Sequence, residues 1–246
     1  SALAGGDGTG TERNHGQLGT ISLPDATLLS STLEFLNGRL LIPGFTSWSI
    51  ASLNMNGNKV GLESDEMSVS VSGDAVLAND AWLAIGGEAQ RRNGEGWRGN
   101  WQSTAFTGAA TGTNPVFDVS GSLTLGASAV TVGGLYQHSQ TKVSVGSRLT
   151  VSNGSYFVVY AGSTNAQYEH GAIVEVSGDT VVWDESWVVP HSQPTNGGSA
   201  VFRLADLTVG PTNTAGFEAK TKGFERLYGH GVGQHAGGRG TGGGYG

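Results

Sequence analysis

A short corner motif recurs along the chain and constrains its fold more than any other feature. Val71-Ser72-Gly73, Val119-Ser120-Gly121 and Val176-Ser177-Gly178 are the same tripeptide, and Val145-Gly146-Ser147 is a close variant. The steps between them are 48, 26 and 31 residues. Each corner lies between short runs in which apolar residues alternate with polar ones, a pattern typical of strands with one buried face. Short strands, Gly corners and a loose period of about 20 to 30 residues predict coils that stack on one another.

The chain is therefore predicted to be all-β, a parallel β-solenoid (right-handed β-helix) with irregular coils. The solenoid domain is assigned to residues 21–210, between a Gly-rich N-terminal segment, 1–20, and a Gly-rich C-terminal tail, 211–246. The right hand is the default for parallel crossovers. The alternative is an antiparallel β-sandwich, which also has many short strands at regular spacing. The identical corners favour the solenoid.

Two parts of this domain depart from the repeat. Residues 86–115 fall within the 48-residue step and are predicted to be a long loop insertion. Near the N-terminus we expect two strands, Thr32–Leu36 and Arg39–Ile42, joined at an Asn-Gly turn. A short helical cap over Asp25–Ser30 is the less favoured alternative there. In the run from Met67 to Gly73, the Met and Val side chains are expected to face inward and the Ser side chains outward.

Composition limits the class of partner and compartment. The formal net charge is −7 and the chain has four lysines, so a nucleic-acid partner is not expected. Cys is absent, which does not decide the redox compartment. Since no apolar run approaches the roughly 20 residues that a spanning helix needs, no membrane span is expected. The start, SALAGGDGTG, has neither a basic nor a hydrophobic segment, so no signal peptide is expected in it. Because it starts on Ser rather than Met, we expect a processed or partial chain.

The insertion supplies the first candidate binding site. It carries Arg92, Trp97, Arg98 and Trp101, and aromatic rings beside guanidinium groups can stack on sugars and hold acidic groups. The competing interpretation is that the tryptophans pack back onto the solenoid. The Gly-rich tail supplies the second candidate, a segment that contacts another copy of the chain. Its candidate assembly residues are Tyr228, His230, His235, Arg239 and Tyr245.

No other polar group forms a recognisable catalytic or metal-binding motif. Two sets of carboxylates could serve glycoside hydrolysis or bind calcium, and one set of histidines could bind zinc, but each is expected to be a set of solvated corner or loop residues. They are Asp179, Asp184 and Glu185; Asp65, Glu66, Asp74 and Asp80; and His138, His170 and His191. We expect no cofactor, no metal and no enzymatic activity.

The phrases VSGSLTLG, VSVGSRLTVSNGS and VEVSGDTVVW resemble the repeats of large secreted β-helix proteins, including autotransporter passengers and adhesins. The segment from His235 to Gly240 resembles the Gly-rich "HGGRGG" segments of giant bacterial β-helix surface proteins. The resemblance implies an extracellular or cell-surface protein with a structural or adhesive role, and it carries over no catalytic residue. We expect such a protein to self-assemble into a surface fibre or filament, or to form one module of one. The alternative is a polysaccharide-binding or polysaccharide-degrading β-helix protein.

Overall fold

The computed structural model describes residues 20–33, 38–62, 64, 66–86, 88–91, 101–104, 114–133, 140–193, 198–211, 214–219, 235–236 and 239–240. These residues form 22 strands and one 3-10 turn, Ala26–Leu28, without any α-helix. The described part of the chain is thus nearly all β, as the alternating sequence predicts. None of its helical structure is long or apolar enough to cross a bilayer.

The strands are short and follow one another in groups of three through most of the chain. The first ten are β1 (Thr20–Ser22), β2 (Gly38–Leu41), β3 (Ser47–Ile50), β4 (Leu53–Asn56), β5 (Lys59–Leu62), β6 (Ser68–Val71), β7 (Ala75–Ala78), β8 (Trp82–Ile85), β9 (Glu88–Arg91) and β10 (Trp101–Thr104). The next seven are β11 (Val116–Val119), β12 (Leu123–Gly126), β13 (Ala129–Val132), β14 (Thr141–Val145), β15 (Leu149–Ser152), β16 (Tyr156–Tyr160) and β17 (Ala172–Val182). The last five are β18 (Trp187–His191), β19 (Ala200–Val209), β20 (Gly216–Phe217), β21 (His235–Ala236) and β22 (Arg239–Gly240).

Two large sheets collect these strands, and every pair within them is parallel. Sheet A has the order β1-β2-β5-β8-β13-β16-β18-β20, and sheet B has the order β3-β6-β11-β14-β17-β15-β12-β7-β4 with β19 on β17. Sheet B consists of two arms, because β17 and β19 each run through a corner. The first arm holds β3, β6, β11, β14 and the starts of β17 and β19. The second arm holds β4, β7, β12, β15 and the ends of β17 and β19.

One coil is a pass through the first arm, the second arm and sheet A. The chain makes this pass repeatedly, so strands of successive coils lie side by side in parallel. Stacked parallel strands are the arrangement that a parallel β-solenoid requires, and the antiparallel sandwich is the wrong description of these two sheets. Parallel pairing also explains the spacing, because a parallel neighbour can be reached only after the chain has come all the way round.

The corner motif stacks in register. Val119 pairs with Val71 on one side and with Val145 on the other, and Val145 pairs with Val176. The predicted alignment of these four corners is therefore confirmed.

The stacking gives a physical reason for the glycines. A Cβ at Gly73 would lie 2.8 Å from the carbonyl oxygen of Ala51, and one at Gly121 would lie 2.7 Å from that of Gly73. Gly121 also donates its amide to the Gly73 carbonyl at 3.0 Å. Corner rests directly on corner, so the motif requires a residue without a side chain.

Both sheets contribute to one apolar core that runs along the stack. Val69, Phe117, Val143 and Val174 form one of its columns in the first arm, and all four are fully buried. Burying a side chain of this size stabilises the fold by about 1.5 to 3 kcal/mol relative to leaving it exposed. Met67 begins the run whose inward Met and Val side chains were predicted, and it too is fully buried.

The corner between the second arm and sheet A holds a buried polar ladder. The hydroxyl of Ser155 accepts the amide of Ser128 at 3.1 Å, and the hydroxyl of Ser186 accepts the amide of Ser155 at 3.0 Å. The Ser128 hydroxyl donates to the carbonyl of Leu77 at 3.0 Å. Each small side chain pairs backbone groups that the turn leaves without a strand partner, which is necessary because these serines are buried.

The N-terminal segment differs from the prediction. Thr32 and Leu33 lie in or beside a turn rather than at the start of a strand, and residues 34–36 are outside the described residues. The second expected strand is present as β2. The less favoured helical cap appears in shortened form as the 3-10 turn, whose N-cap is Asp25. The insertion also differs, because β9 and β10 pair as an antiparallel ribbon within it.

Candidate functional site

The predicted insertion site lies mostly outside the described residues. This applies to Arg92, Trp97 and Arg98. Trp101 begins β10, and its backbone lies opposite that of Arg91 in the ribbon. The register thus places one aromatic residue of the insertion directly across from a cationic one. The binding role of this site stays a prediction.

The candidate assembly residues of the Gly-rich tail are also only partly among the described residues. Tyr228, His230 and Tyr245 lie outside the described residues. His235 and Arg239 belong to β21 and β22, which form a small antiparallel pair. Their role in assembly also stays a prediction.

The candidate carboxylates are spread over the stack and join its coils. Asp80 pairs with Lys59 of the preceding coil at 2.7 Å. Asp74 accepts the amide of Ser122 in the following coil at 2.7 Å. Within the described part of the chain, no three His, Asp or Glu side chains come close enough to hold a metal ion.

The other carboxylates follow the same pattern or lie at corners. Asp179 pairs with Arg148 of the preceding coil at 2.5 Å. Asp184 and Glu185 occupy left-handed positions at the corner between the second arm and sheet A, with φ of 50° and 58°. Asp65 lies outside the described residues, and Glu66 is half-buried.

The histidines do not line up with each other where they are described. His191 is buried at the end of β18 and stacks on Tyr160, with ring centroids 4.2 Å apart and planes 18° from parallel. His170 offers its backbone carbonyl to the side-chain amide of Gln140 at 2.9 Å. His138 lies outside the described residues. The stacking of coils therefore places His191 against the Tyr160 ring rather than against another described histidine.

Sequence reasoning missed an apolar layer on the outer face of sheet A. Trp82, Ala129, Tyr156 and Trp187 follow one another in register, and Trp82 and Tyr156 are 3% and 6% exposed. With their neighbours they form an apolar cluster separate from the main core. The signal in the sequence was an aromatic residue at the start of three sheet A strands, β8, β16 and β18. Because this layer is buried, its geometry fits packing better than an open binding platform.

Sequence reasoning also missed an exposed edge at the C-terminal end of sheet B. Leu207 and Val209 of β19 are 48% and 41% exposed, although they pair with Thr180 and Val182, which are 1% and 0% exposed core residues. Two core columns thus end in solvent at β19. In the described residues, β17 is the only strand that pairs with β19. We call Ala200–Val209 the open edge.

The charges on the open edge are unevenly matched. Arg203 pairs with Glu175 of the preceding coil at 2.6 Å. Asp206 lies beside Asp179 in the register, and Asp179 already pairs with Arg148. No ion pair of Asp206 occurs among the described residues. This edge therefore presents one cation, one carboxylate beside a like charge, and exposed apolar residues.

Comparison with known proteins adds no relative: no family model, no curated protein and no solved structure matches the chain. The resemblance to β-helix surface proteins therefore stays an expectation, and the function is argued from the molecule's own geometry.

Proposed function

We propose that the chain is a non-enzymatic structural or adhesive protein of the cell surface or extracellular space. Its strands close into a right-handed parallel β-solenoid, which self-assembles into a fibre or filament or forms one module of one. The observation that carries the proposal is the continuity of the columns: corner residues, core residues and the Ser ladder all repeat in register from coil to coil. Such a stack is an extended scaffold by construction.

The use of charge supports a scaffold role. Each described ion pair joins one coil to the next: Lys59 to Asp80, Arg148 to Asp179, and Arg203 to Glu175. Exposed pairs of this kind contribute about 0 to 1 kcal/mol each. Their positions tie coils together rather than concentrating polar groups around one cavity.

Closure of the coil is supported by the shared core. Val60 and Leu83 of sheet A and Met55 and Leu77 of sheet B belong to the same buried cluster. Two sheets that bury their inner faces against each other fit a closed coil. The right hand follows from the strong preference of parallel crossovers.

Electron microscopy of the purified chain over a range of concentrations tests the assembling function. We expect ordered assemblies that grow with concentration. A chain that stays monomeric at every concentration and binds glycans instead would overturn the proposal in favour of the alternative.

That alternative is a polysaccharide-binding or polysaccharide-degrading β-helix protein, and the pairing of Trp101 with Arg91 in the ribbon favours it. A glycan array tests it with Trp97→Ala and Trp101→Ala. The matched control is Trp183→Ala, which removes a 39% exposed tryptophan outside the insertion. Binding that is lost in the insertion variants alone would establish the alternative, and an array without signal would reject it.

A further inference from the structure

We propose that the open edge is covered by the open edge of a second copy of this chain. The two copies of β19 pair antiparallel across a twofold axis at Leu204–Ala205 and form a closed dimer. This inference deepens the proposed self-association and rests on the part of it that has the chain bind a second copy, not on fibre growth, because a closed dimer leaves no free open edge to extend. It names the surface and the partner.

The first argument is the exposure of core positions. Leu207 and Val209 continue columns that are fully buried one coil earlier, and they are 48% and 41% exposed. Phe217 of β20, beside them in the last coil, is 37% exposed and meets Phe202 edge-on with ring centroids 5.2 Å apart. An exposed strand edge with apolar residues is a template for another strand.

The second argument is that β19 has the same inward and outward pattern in both directions. Its side chains follow the pattern of β17, with which it is in register. The inward positions are Ala200, Phe202, Leu204, Leu207 and Val209, and the outward positions are Val201, Arg203, Asp206 and Thr208. When the strand is reversed about Leu204–Ala205, the inward Ala200 and Phe202 meet Val209 and Leu207, and the outward Val201 and Arg203 meet Thr208 and Asp206. Leu204 meets Ala205 at the corner itself. Self-pairing in this register keeps both faces consistent.

The backbone fits the same register. Gly210 donates its amide to Val182 at 2.8 Å, so its amide points to the preceding coil. Because amides alternate along a strand, those of Leu207 and Val209 point to the open edge. The Ser199 carbonyl accepts the amide of Ala172, so by the same alternation Phe202 also faces the open edge. Phe202 and the partner's Leu207 then form a hydrogen-bonded pair of an antiparallel ladder.

The third argument is charge. The proposed register places Arg203 opposite the partner's Asp206. Within one copy Asp206 lies beside Asp179, a like charge. Arg203 of the second copy, which also pairs with its own Glu175, then faces Asp206, and opposite charges directly across a strand pair are favourable.

The shape of the coil permits the twofold axis. The two arms of β19, Ala200–Leu204 and Asp206–Val209, are nearly equal in length and meet at the corner. An axis through that corner exchanges the first arm of one copy with the second arm of the other. Such a contact is isologous and closes on itself, so it covers the open edges of both copies at once.

Cysteine cross-linking tests the register, because the chain has no Cys. In the proposed dimer Val201 lies opposite the partner's Thr208 as a non-hydrogen-bonded pair, with Cα atoms about 4.5 Å apart, within disulfide reach. We expect Val201→Cys/Thr208→Cys to form a covalent dimer of twice the 25.2 kDa chain mass. An equal mixture of the two single variants should form the mixed disulfide, and each single variant alone should not cross-link. Cross-linking of the single variants alone would overturn the register.

Charge reversal tests the interface without cysteine. Asp206→Arg should raise the dimer Kd in analytical ultracentrifugation at least tenfold. Asp118→Arg, an outward carboxylate in the middle of the same face, should leave it unchanged. Equal effects of the two variants would contradict the proposal.

The two proposals fail in different ways. Fibres in which the cysteines do not cross-link would reject the open-edge dimer and leave self-assembly standing. Cross-linked dimers that never form fibres would support the open-edge dimer and reject fibre formation. A wild-type chain that is monomeric at every concentration would reject both.

Discussion

At each end of the stack, the last coil has no further coil to cover it, and the two ends differ in whether other residues of the chain cover it instead. At the N-terminal end, Leu33 lies under the first coil and is fully buried, and Ser31 accepts the amide of Asn54 in β4 at 3.1 Å. At the C-terminal end, Leu207 and Val209 continue the core columns of Thr180 and Val182 and are exposed. One end is capped by the chain's own residues, and the other presents its last strand to solvent.

The difference shows that the cap is made by non-repetitive sequence. Residues 23–33 lack the corner motif and contain the 3-10 turn instead. Leu28 and Leu41 are exposed at this end as well, but Leu28 lies in the turn and Leu41 on the outer side of β2, so neither continues a core column. A stack of coils needs terminal residues that break the repeat in order to remain soluble and unpaired.

The largest expected effect comes from truncating equivalent apolar residues at the two ends. Leu33→Ala should lower the free energy of unfolding by about 2 to 5 kcal/mol, because it leaves a cavity in the capped end. Leu207→Ala, its control at the open end, should cost the monomer less than about 1 kcal/mol. Urea denaturation in dilute solution measures both. Equal losses would show that the ends do not differ in burial.

A smaller effect is expected from the hydrogen bonds that hold the cap. The side chain of Asn58 donates to the carbonyl of Leu33 at 2.7 Å and accepts the amide of Asn56 at 3.0 Å, and Asn58 is 6% exposed. Asn58→Ala should cost about 1 to 3 kcal/mol, because it leaves buried backbone groups without partners. Thr208→Ala at the open edge should stay within about 0.5 kcal/mol of wild type. An Asn58 variant as stable as wild type would show that these two hydrogen bonds do not stabilise the cap.

The ion pair at the open edge should contribute less still. Arg203 and Glu175 are 56% and 40% exposed, so Arg203→Ala should cost the monomer at most about 1 kcal/mol. The loss should shrink as salt is raised, because screening weakens exposed pairs. Thermal melts at two salt concentrations check this, and a loss that salt does not change would point to packing instead.

The smallest effect is a pH dependence at the capped end. The Asp25 carboxylate accepts hydrogen bonds from the Thr27 hydroxyl and, at 2.9 Å, from the Thr27 amide, and these lower the pKa of Asp25 below its ordinary value of 3.8. A lowered pKa means that the ionised form is favoured in the folded state. Its contribution to stability is therefore present above pH 3.8 and lost as the pH falls through the folded-state pKa. NMR titration should place the Asp25 pKa below 3.8; a higher value would contradict the capping role.

Much of the stack could be predicted from sequence, because its requirements are local. A glycine such as Gly121 is needed wherever one corner packs directly on another, so the corner motif recurs in the sequence at each coil. Alternation likewise identified the inward Met67, Val69 and Val71.

The ends and the outer layer could not be predicted in the same way. Leu207 alternates with polar neighbours as Leu149 does in β15, yet Leu149 is 1% exposed and Leu207 is 48% exposed. The difference depends on whether another coil follows, which the local pattern does not state. The run from Tyr156 to Tyr160 is apolar at every position because both faces of that strand are buried, so alternation gave no signal for the outer layer.

Amide hydrogen exchange by NMR tests the contrast between the ends most directly. The amide of Asn54, bonded to the cap at 3.1 Å, should exchange slowly at every protein concentration. The amide of Leu207 should exchange fast in dilute solution and slow down as the dimer forms, while that of Gly210, bonded to Val182 at 2.8 Å, stays slow throughout. If Leu207 is as protected as Asn54 in dilute solution, the C-terminal end is not open and the account is wrong.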